Sequence, residues 1–320
     1  MSSFSRRVAI TTVVALFVCA AIPQTKPYPK RQIPPNTLSR SAGVTVPIVV
    51  VHSVLLVPLR VNGKAKTFIL DTGGGSGFLL DSRVADQLQL RAVGEQRTSG
   101  AGDDNVTLKI VTGLEIELAG KRFSDVTAGV TDFAAISRYL NTEVDGLLGV
   151  NIFSRWVVVI DYCEQKVQFI DPSQFQAPRA ADVLPITKLA AHYATAGAVQ
   201  FAPTTRLAGM FLLDTGAGPI AVGITRQQAE RLHINTESAQ QDVIPALGGS
   251  FRARLISAQS VRVGNSTLRN LTIHASENAS GGMASGEYVG VIGGEFFRRF
   301  LTIFDVPHRR LILGRAARCH

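Results

Sequence analysis

Cysteine, tryptophan and charged side chains are all scarce in this sequence of 320 residues. It has 3 cysteines and 1 tryptophan, and only 18% of its residues are charged. So few cysteines exclude a fold built on a network of disulfides. Low charge together with 46% hydrophobic residues excludes an intrinsically disordered chain. The sequence therefore predicts a folded protein, and its length allows two domains with cores of their own.

The first twenty residues have the pattern of an export signal. Arg6 and Arg7 precede the apolar stretch 8–18, and small residues allow cleavage after Ala20. One alternative is an uncleaved membrane anchor. Another is a lipoprotein signal, which is matched poorly because the residue before Cys19 is not small. All three place the protein outside the cytoplasm. With the export signal cleaved, we expect a periplasmic or secreted protein without stable membrane insertion. The predicted segments are the signal peptide 1–20 and a linker 21–45.

The remaining cysteines and the histidines point to no metal or other cofactor. Without Cys19, the mature chain keeps Cys163 and Cys319. These two either form a disulfide in an oxidising compartment or stay as a buried thiol and a tail thiol. The 6 histidines are scattered without metal-ligand spacing. We therefore predict neither a structural nor a catalytic metal.

The basic residues outnumber the acidic ones. The formal net charge is +9, and removing Arg6 and Arg7 with the signal gives 9 − 2 = +7. The basic residues fall in small groups, such as 298–299 and 309–310, with no interleaved aromatic residues. This pattern favours a solvated surface over nucleic-acid binding.

An internal repeat organises the rest of the chain. Three elements recur at a spacing of 143 or 144 residues, so the register is the same throughout. The sequence therefore predicts two copies of one structural unit. The recurring elements are Phe-Ile-Leu-Asp-Thr-Gly at 68–73 and Phe-Leu-Leu-Asp-Thr-Gly at 211–216, Gly-Leu-Leu-Gly at 146–149 and Gly-Val-Ile-Gly at 290–293, and the aspartates Asp161 and Asp305.

The segments between these elements match as well. Each Asp-Thr-Gly is followed by a short amphipathic helix, a Gly-rich hairpin tip, a second short helix and a closing strand pair. Short runs of Val, Ile, Leu and Thr, broken by Gly, Asn and Asp, predict an all-β class with a few short helices. The predicted helices are 81–90, 151–156, 225–234 and 295–300, the hairpin tips lie at 98–102 and 247–249, and the units are 46–172 and 183–315, with a joint at 173–182.

The two Asp-Thr-Gly motifs are the candidate reactive groups. One copy arises by chance about 0.1 times in a chain of this length, so a second copy at the matching position of a repeat is informative. A strand that ends in Asp presents a carboxylate, the threonine hydroxyl holds the loop, and the glycine lets backbone N–H groups approach the charge. If the units pack about a pseudo-two-fold axis, the two carboxyls meet and cannot both ionise.

With Asp-Thr-Gly followed by an apolar-apolar-Gly element in each unit, the sequence resembles the retropepsin and pepsin type of aspartic protease. The resemblance covers both units. It implies a bilobal acid-protease fold of two homologous β-barrel units, and an endopeptidase acting on peptide or protein substrates. It also implies that Asp71 and Asp214 are catalytic, one as general base on a water and the other, protonated, polarising the scissile carbonyl.

The resemblance also assigns supporting residues. Thr72 and Thr215 would bond across to the opposite loop, and Gly73 and Gly216 would line the two aspartates. The Gly-rich hairpin tips would fold over substrate as flaps. The candidate flap residues are Gly100, Gly102, Gly248 and Gly249.

The sequence departs from the family pattern in three places. The family has Ala or Ser and then Ser or Thr after the motif, whereas this chain has Gly-Gly at 74–75 and Ala-Gly at 217–218. No tyrosine lies in a candidate flap, so the pepsin flap tyrosine has no counterpart there. Asp145 precedes the first apolar-apolar-Gly element, but Val289 precedes the second. These departures are closer to retropepsin-type bacterial proteins than to digestive pepsins.

Two other interpretations of the motifs remain open. One is a catalytically silent, protease-like binding or inhibitory protein. The presence of both Asp-Thr-Gly motifs argues against it, because a binding protein does not need two ionisable groups in one energetically unfavourable site. The other is a structural β-sandwich whose turns use Asp-Thr-Gly. If the chain is a protease, Asp71 and Asp214 come from one polypeptide, so we expect a monomer that forms an intrachain pseudo-dimer.

Overall fold

The computed structural model describes residues 43–75, 77–284 and 286–316. The predicted signal 1–20, most of the predicted linker and Cys319 lie outside this part of the chain. Cys163 is disulfide-bonded. The sequence left open a disulfide with Cys319 or two separate thiols, and Cys319 lies outside the described residues. Strand β1 begins at Gly43, within the segment predicted as linker, because it pairs with a later strand.

The first half of the described chain forms a closed barrel. Six strands join edge to edge in the order β3-β4-β9-β5-β8-β7, and a further pairing of β3 with β7 closes the ring. Strands β2 and β6 extend the sheet at its two ends. The strands of this half are β1 (Gly43–Pro47), β2 (Val49–Val51), β3 (Val54–Val61), β4 (Lys64–Leu70), β5 (Phe78–Asp81), β6 (Gly94–Ser99), β7 (Asn105–Leu118), β8 (Lys121–Thr131), β9 (Gly146–Leu148), β10 (Val157–Asp161) and β11 (Lys166–Ile170).

The second half repeats this barrel strand for strand. Its ring is β14-β15-β20-β16-β19-β18, closed by the pairing of β14 with β18 and extended by β13 and β17. The predicted all-β class with two similar units is therefore confirmed. The strands are β12 (Asp182–Pro185), β13 (Thr187–Leu189), β14 (His192–Ala202), β15 (Thr205–Leu213), β16 (Val222–Ile224), β17 (Gln241–Ala246), β18 (Gly249–Val263), β19 (Ser266–Ser276), β20 (Gly290–Ile292), β21 (Phe300–Asp305) and β22 (Arg310–Arg315).

A third sheet joins the two lobes. Its order is β1-β11-β10-β21-β22-β12, and the contact between halves is the antiparallel pairing of β10 with β21. Sequence reasoning predicted a closing strand pair at the end of each unit, and both pairs are present as β10–β11 and β21–β22. It did not predict that the pairs share one sheet. That sheet makes the two lobes one compact unit.

The aspartates of the third repeated element shape the turns of this sheet. Asp161 accepts hydrogen bonds from the backbone N–H groups of Cys163 (3.1 Å) and Glu164 (3.0 Å). Asp305 accepts from Nε of Arg310 at 2.9 Å and contacts Nδ1 of His308 at 2.6 Å. These two residues are repeated because both sheet hairpins need a side-chain acceptor at the turn.

All helices of the described residues are short. The predicted helices at 81–90 and 225–234 exist but end earlier, because Gln89 (φ 52°) and His233 (φ 50°) adopt left-handed backbone conformations that stop a helix. The predicted helix at 295–300 also ends early, since Phe300 already pairs in β21. Sequence reasoning missed α2. The helices are α1 (Ser82–Gln87), α2 (Ala134–Tyr139), α3 (Val150–Arg155), α4 (Arg226–Arg231) and α5 (Gly294–Phe297), with 3-10 turns at Pro172–Gln174, Gly282–Ala284 and Val306–His308.

Candidate active site

The two Asp-Thr-Gly motifs begin directly after equivalent strands. Asp71 follows β4 and Asp214 follows β15, and their backbone N–H groups donate to Leu148 O and Ile292 O, both at 2.9 Å. Those acceptors lie in β9 and β20, which run parallel to β4 and β15. Each motif is therefore held against the repeated apolar-apolar-Gly element, and this pairing explains why the two elements occur together in the sequence.

The loops of the two lobes are bonded to each other through their threonines. Thr72 N donates to Thr215 Oγ1 at 3.0 Å, and Thr215 N donates to Thr72 Oγ1 at 3.0 Å. Each hydroxyl also donates across the lobe boundary, Thr72 to Leu213 O and Thr215 to Leu70 O, both at 2.8 Å. Both threonines are fully buried. Since each hydroxyl has one donor and one acceptor partner, removing either leaves buried backbone groups unsatisfied.

This joint brings the two carboxyl groups into contact. Asp71 Oδ1 accepts from Gly73 N at 2.7 Å and from Gly216 N, in the opposite loop, at 3.2 Å. Asp214 Oδ1 accepts from Ala217 N at 2.9 Å. The two carboxyls also interact directly, and this interaction acts on the pKa of both. The structure therefore places both candidate catalytic residues at one point on the boundary between the lobes.

The motif glycines are required by this close approach. A Cβ atom on Gly73 would lie 2.3 Å from Asp214 Cγ, and one on Gly216 would lie 2.4 Å from Asp71 Cγ. Either distance is far below van der Waals contact, so any side chain would displace the opposite carboxyl. Glycine is also needed at 75 and 218, where the family has a hydroxyl residue, but for different structural reasons. Gly75 has φ +63°, and a Cβ on Gly218 would lie 2.4 Å from Val54 Cγ2.

Burial raises the pKa of both carboxyls. Asp71 is 8% exposed, and burial followed by the charge of Asp214 and the hydrogen bond to Asp214 raises its pKa well above the ordinary value. Burial also raises the pKa of Asp214, but the hydrogen bond from Asp71, the Ala217 amide and the nearby His192 oppose the rise. Two neighbouring carboxyls whose pKa values are both raised cannot both ionise easily, so the pair shares one proton over an intermediate pH range.

The two Gly-rich hairpins meet at their tips. The first is formed by β6 and β7 and the second by β17 and β18. Gly102 N donates to Leu247 O at 3.1 Å, and Asp104 N donates to Gly248 O at 2.9 Å. A Cβ on Gly100 would lie 2.0 Å from Leu247 O, and Gly249 has φ +107°. The four candidate flap glycines therefore belong to one contact between the lobes, and they allow the backbones to touch.

A third segment, residues 277–284, is bonded to the first hairpin tip. Asp103 accepts from Ala279 N at 3.1 Å and Ser280 N at 3.2 Å, and it pairs with Arg252 of the second hairpin. Gly282 N donates to Gly100 O at 2.8 Å. We call this set of contacts the tip latch. Sequence reasoning missed it, because these partners are 149 to 177 residues from Asp103 and carry no motif.

Two further residues act on the Asp71–Asp214 pair, which we call the dyad, or on its surroundings, and sequence reasoning missed both. The charge of His192 acts to lower the pKa of Asp214. Tyr288 is buried, its hydroxyl donates to Gly282 O, and burial followed by the charge of Asp214 raises its pKa to about 12. Tyr288 thus connects the surroundings of the two aspartates to the segment that touches the first hairpin tip. No sequence signal distinguishes either residue from an ordinary core position.

Within the described residues, no group of three or more His, Cys, Asp or Glu side chains is arranged to hold a metal ion. None of the helices in that part of the chain is long and apolar enough to span a membrane.

Comparisons with known proteins agree with the geometry. A sequence model of the aspartyl protease family matches residues 57–152 and 205–296, more than half of the chain, with one Asp-Thr-Gly in each stretch. Among solved structures, the crystal structure of aspartic proteinase from Irpex lacteus matches with a TM-score of 0.56 at 16% identity, covering 86% of this chain and 98% of that chain. No curated protein matches the sequence.

The fold and the family match define a two-lobed protein of the pepsin and retropepsin type. The chain belongs to the aspartyl protease family.

Proposed function

We propose that this protein is an aspartic endopeptidase in which one polypeptide supplies both catalytic carboxyls, Asp71 and Asp214. The observation that carries the proposal is the contact between these carboxyls at a joint bonded from both lobes. Two carboxyls that share a proton are the known catalytic arrangement of aspartic proteases. A merely structural turn does not need a second ionisable group in such a costly position.

In the proposed reaction, the two carboxyls act as acid and base. The carboxyl that is ionised takes a proton from a water molecule, which attacks the carbon of the scissile carbonyl. The carboxyl that keeps the shared proton donates a hydrogen bond to the carbonyl oxygen as negative charge develops there. Collapse of the tetrahedral intermediate breaks the C–N bond, and the leaving amine takes up a proton from the dyad. No bond forms between protein and substrate.

Substrate entry requires the hairpin tips to separate. The tips are joined by two backbone hydrogen bonds, and the tip latch adds the contacts of Asp103 and the hydrogen bond from Gly282 N to Gly100 O. Bonds between exposed loops open at little cost, so the hairpins are suited to act as flaps that close over a bound peptide.

We also propose that the protein works outside the cytoplasm after cleavage near Ala21. This rests on Arg6, Arg7 and the apolar stretch 8–18. Sequencing the N-terminus of native protein checks it: cytosolic material that still begins at Met1 or Ser2 would contradict the proposal.

The test of the activity is hydrolysis of casein or a peptide library from acidic to neutral pH. Asp71→Asn and Asp214→Asn should each lower the rate by about 10³-fold or more, because each removes one half of the acid–base pair. The exposed Asp86→Asn provides a matched control that should keep full activity. Mixing the two inactive variants should restore nothing, and one statine-type inhibitor should bind per chain.

Three outcomes would contradict the proposal. Full activity in either single variant would show that the dyad does not carry the reaction. Recovery on mixing would show that active sites form between chains. Tight binding of a statine-type inhibitor without hydrolysis by the unmodified protein would favour a silent binding protein.

A further inference from the structure

A shallow cavity of about 380 Å³ lies on the outer face of the second barrel. It is lined by residues of β14, β15, β18 and β19. Arg206, at the start of β15, lies eight residues before Asp214, which corresponds to about 26 Å along an extended strand. The cavity is therefore separate from the dyad. Its polar lining consists of Arg206, Arg262 and Arg269 together with Gln200, Ser260 and Thr267.

The strand register places the three arginines on one face. Arg206 is the direct partner of Gln200, Gln200 of Ser260, and Ser260 of Arg269, so these four side chains form one row across four strands. Arg262 lies two residues beyond Ser260 on the same strand and therefore projects from the same face. Two arginines thus stand at the ends of the row, and the third stands beside its middle.

No acidic residue lines the cavity, and no ion pair within the described ranges uses any of the three arginines. Like charges that are brought together on a sheet face destabilise it modestly. A cluster of three uncompensated guanidinium groups is therefore a feature that packing alone does not favour.

The first barrel shows that the fold does not require this cluster. The same register identifies the equivalent positions there, where Glu117 replaces Arg262 and Glu115 replaces Ser260. Arg122 pairs with Glu115 at 3.6 Å. The formal charge over the equivalent set is 2 − 2 = 0 in the first lobe and 3 − 0 = +3 in the second. The first-lobe set is Asn62, Gly63, Arg60, Ala65, Glu115, Glu117, Arg122 and Ser124, and the second-lobe set is Gln200, Arg206, Ala198, Ala208, Ser260, Arg262, Thr267 and Arg269.

We propose that this cavity, formed around Arg206, Arg262 and Arg269, binds a small molecule that carries two or more phosphate groups. The planar guanidinium group donates paired hydrogen bonds to phosphate oxygens. A phosphate group offers three acceptor oxygens and up to two charges, so two linked phosphates match three arginines better than isolated carboxylates do. Ser260 and Thr267 add hydroxyl donors to the lining. The volume is in the range of small-molecule sites and too small for a folded partner.

The experiment measures binding of inorganic tripolyphosphate to the full chain by calorimetry and by thermal shift. We expect binding of one tripolyphosphate per chain that weakens with added salt, since the contacts are ionic. Arg262→Gln should weaken binding by about tenfold or more, because it removes a charge-assisted contact. The triple Gln variant of Arg206, Arg262 and Arg269 should abolish it. Arg122→Gln, the first-lobe control, should leave the affinity unchanged.

Several results would overturn the inference. One is the absence of both heat and thermal shift with tripolyphosphate at millimolar concentration. Equal affinity in the triple variant would place any binding elsewhere. Citrate binding as tight as tripolyphosphate binding would contradict the preference for phosphate. If anionic lipid vesicles bind the protein but tripolyphosphate does not, the arginines form a membrane-binding surface instead. All of these readouts are independent of peptide hydrolysis.

Discussion

The two lobes share one framework but support it differently. In the first lobe, Asp145 accepts hydrogen bonds from Thr67 N at 2.8 Å and from Arg83 at 2.9 Å, and it pairs with Lys66 at 3.5 Å. Asp145 is buried, and the Arg83 side chain is 38% exposed. Here an ionic network connects β4, the first helix and the strand that holds Asp71 in place.

The second lobe has an apolar contact at the same place. Val289 replaces Asp145, and Gly209, in the position of Lys66, lies so close that a Cβ atom would approach Val289 Cγ1 to 2.7 Å. The backbone bond is kept: Asp145 N donates to Thr67 O at 2.8 Å, and Val289 N donates to Met210 O at 2.9 Å. The comparison teaches that the repeat preserves the backbone geometry behind the aspartates, while the side chains that support it are free to differ.

The largest expected effect on stability comes from substituting the side chains at positions 145 and 289. Asp145→Val, which copies the second lobe, leaves Thr67 N and Arg83 without their acceptor and should lower the free energy of unfolding by about 2–4 kcal/mol. Val289→Ala removes only half-buried methyl groups and should cost about 1 kcal/mol. Urea unfolding of both variants measures the difference. Equal costs would show that the ionic network contributes no more than the apolar contact does.

The ionisation of the two aspartates should affect stability. A carboxyl whose pKa is raised by folding favours the folded state below its ordinary pKa of 3.8, and this stability is lost as the pH rises through the folded pKa. Asp71→Asn cannot ionise, so it should melt a few degrees above the unmodified protein at neutral pH. Asp214→Asn should also melt higher at neutral pH, because burial raises the pKa of Asp214 as well.

Thermal melts from acidic to neutral pH measure how the melting temperatures of the Asn variants differ from that of the unmodified protein. The advantage of Asp71→Asn should disappear below about pH 4, where both carboxyls of the unmodified protein are protonated. An Asn variant that is less stable than the unmodified protein at every pH would contradict the raised pKa of Asp71.

The smallest effect concerns the two hairpins. Asp103 belongs to the first hairpin, and its contacts with Arg252 and Ser280 are exposed, so Asp103→Asn should change global stability by less than about 1 kcal/mol. It should instead speed hydrogen exchange at 100–104 and 247–249, because the tip latch opens more often.

A statine-type inhibitor should slow exchange at both tips, as expected for flaps that close on a ligand. Glu115→Gln, which removes an exposed ion pair on the same lobe away from the tips, is the matched control and should leave tip exchange unchanged. Equal exchange at the tips with and without inhibitor would contradict their role as flaps.

Much of the architecture could be predicted from the sequence, because it depends on local sequence patterns that are present in both units. The repeat predicted two similar units, and β-type runs with Gly-containing turns predicted strands and hairpins, both confirmed by the two barrels. Helix ends were predicted less well. They depend on single left-handed residues such as Gln89 and His233, whose conformation propensity alone does not determine.

The amino-acid order by itself determined which residues are equivalent, since Asp71 and Asp214 occupy the same position in a motif that recurs 143 residues later. Only the tertiary structure decided what these residues touch. The shared sheet, the tip latch and the electrostatic effect of His192 on Asp214 involve residues far apart in the chain, and no local pattern encodes such pairings. The cluster of Arg206, Arg262 and Arg269 shows the same limit: the residues look scattered until the strand register places them side by side.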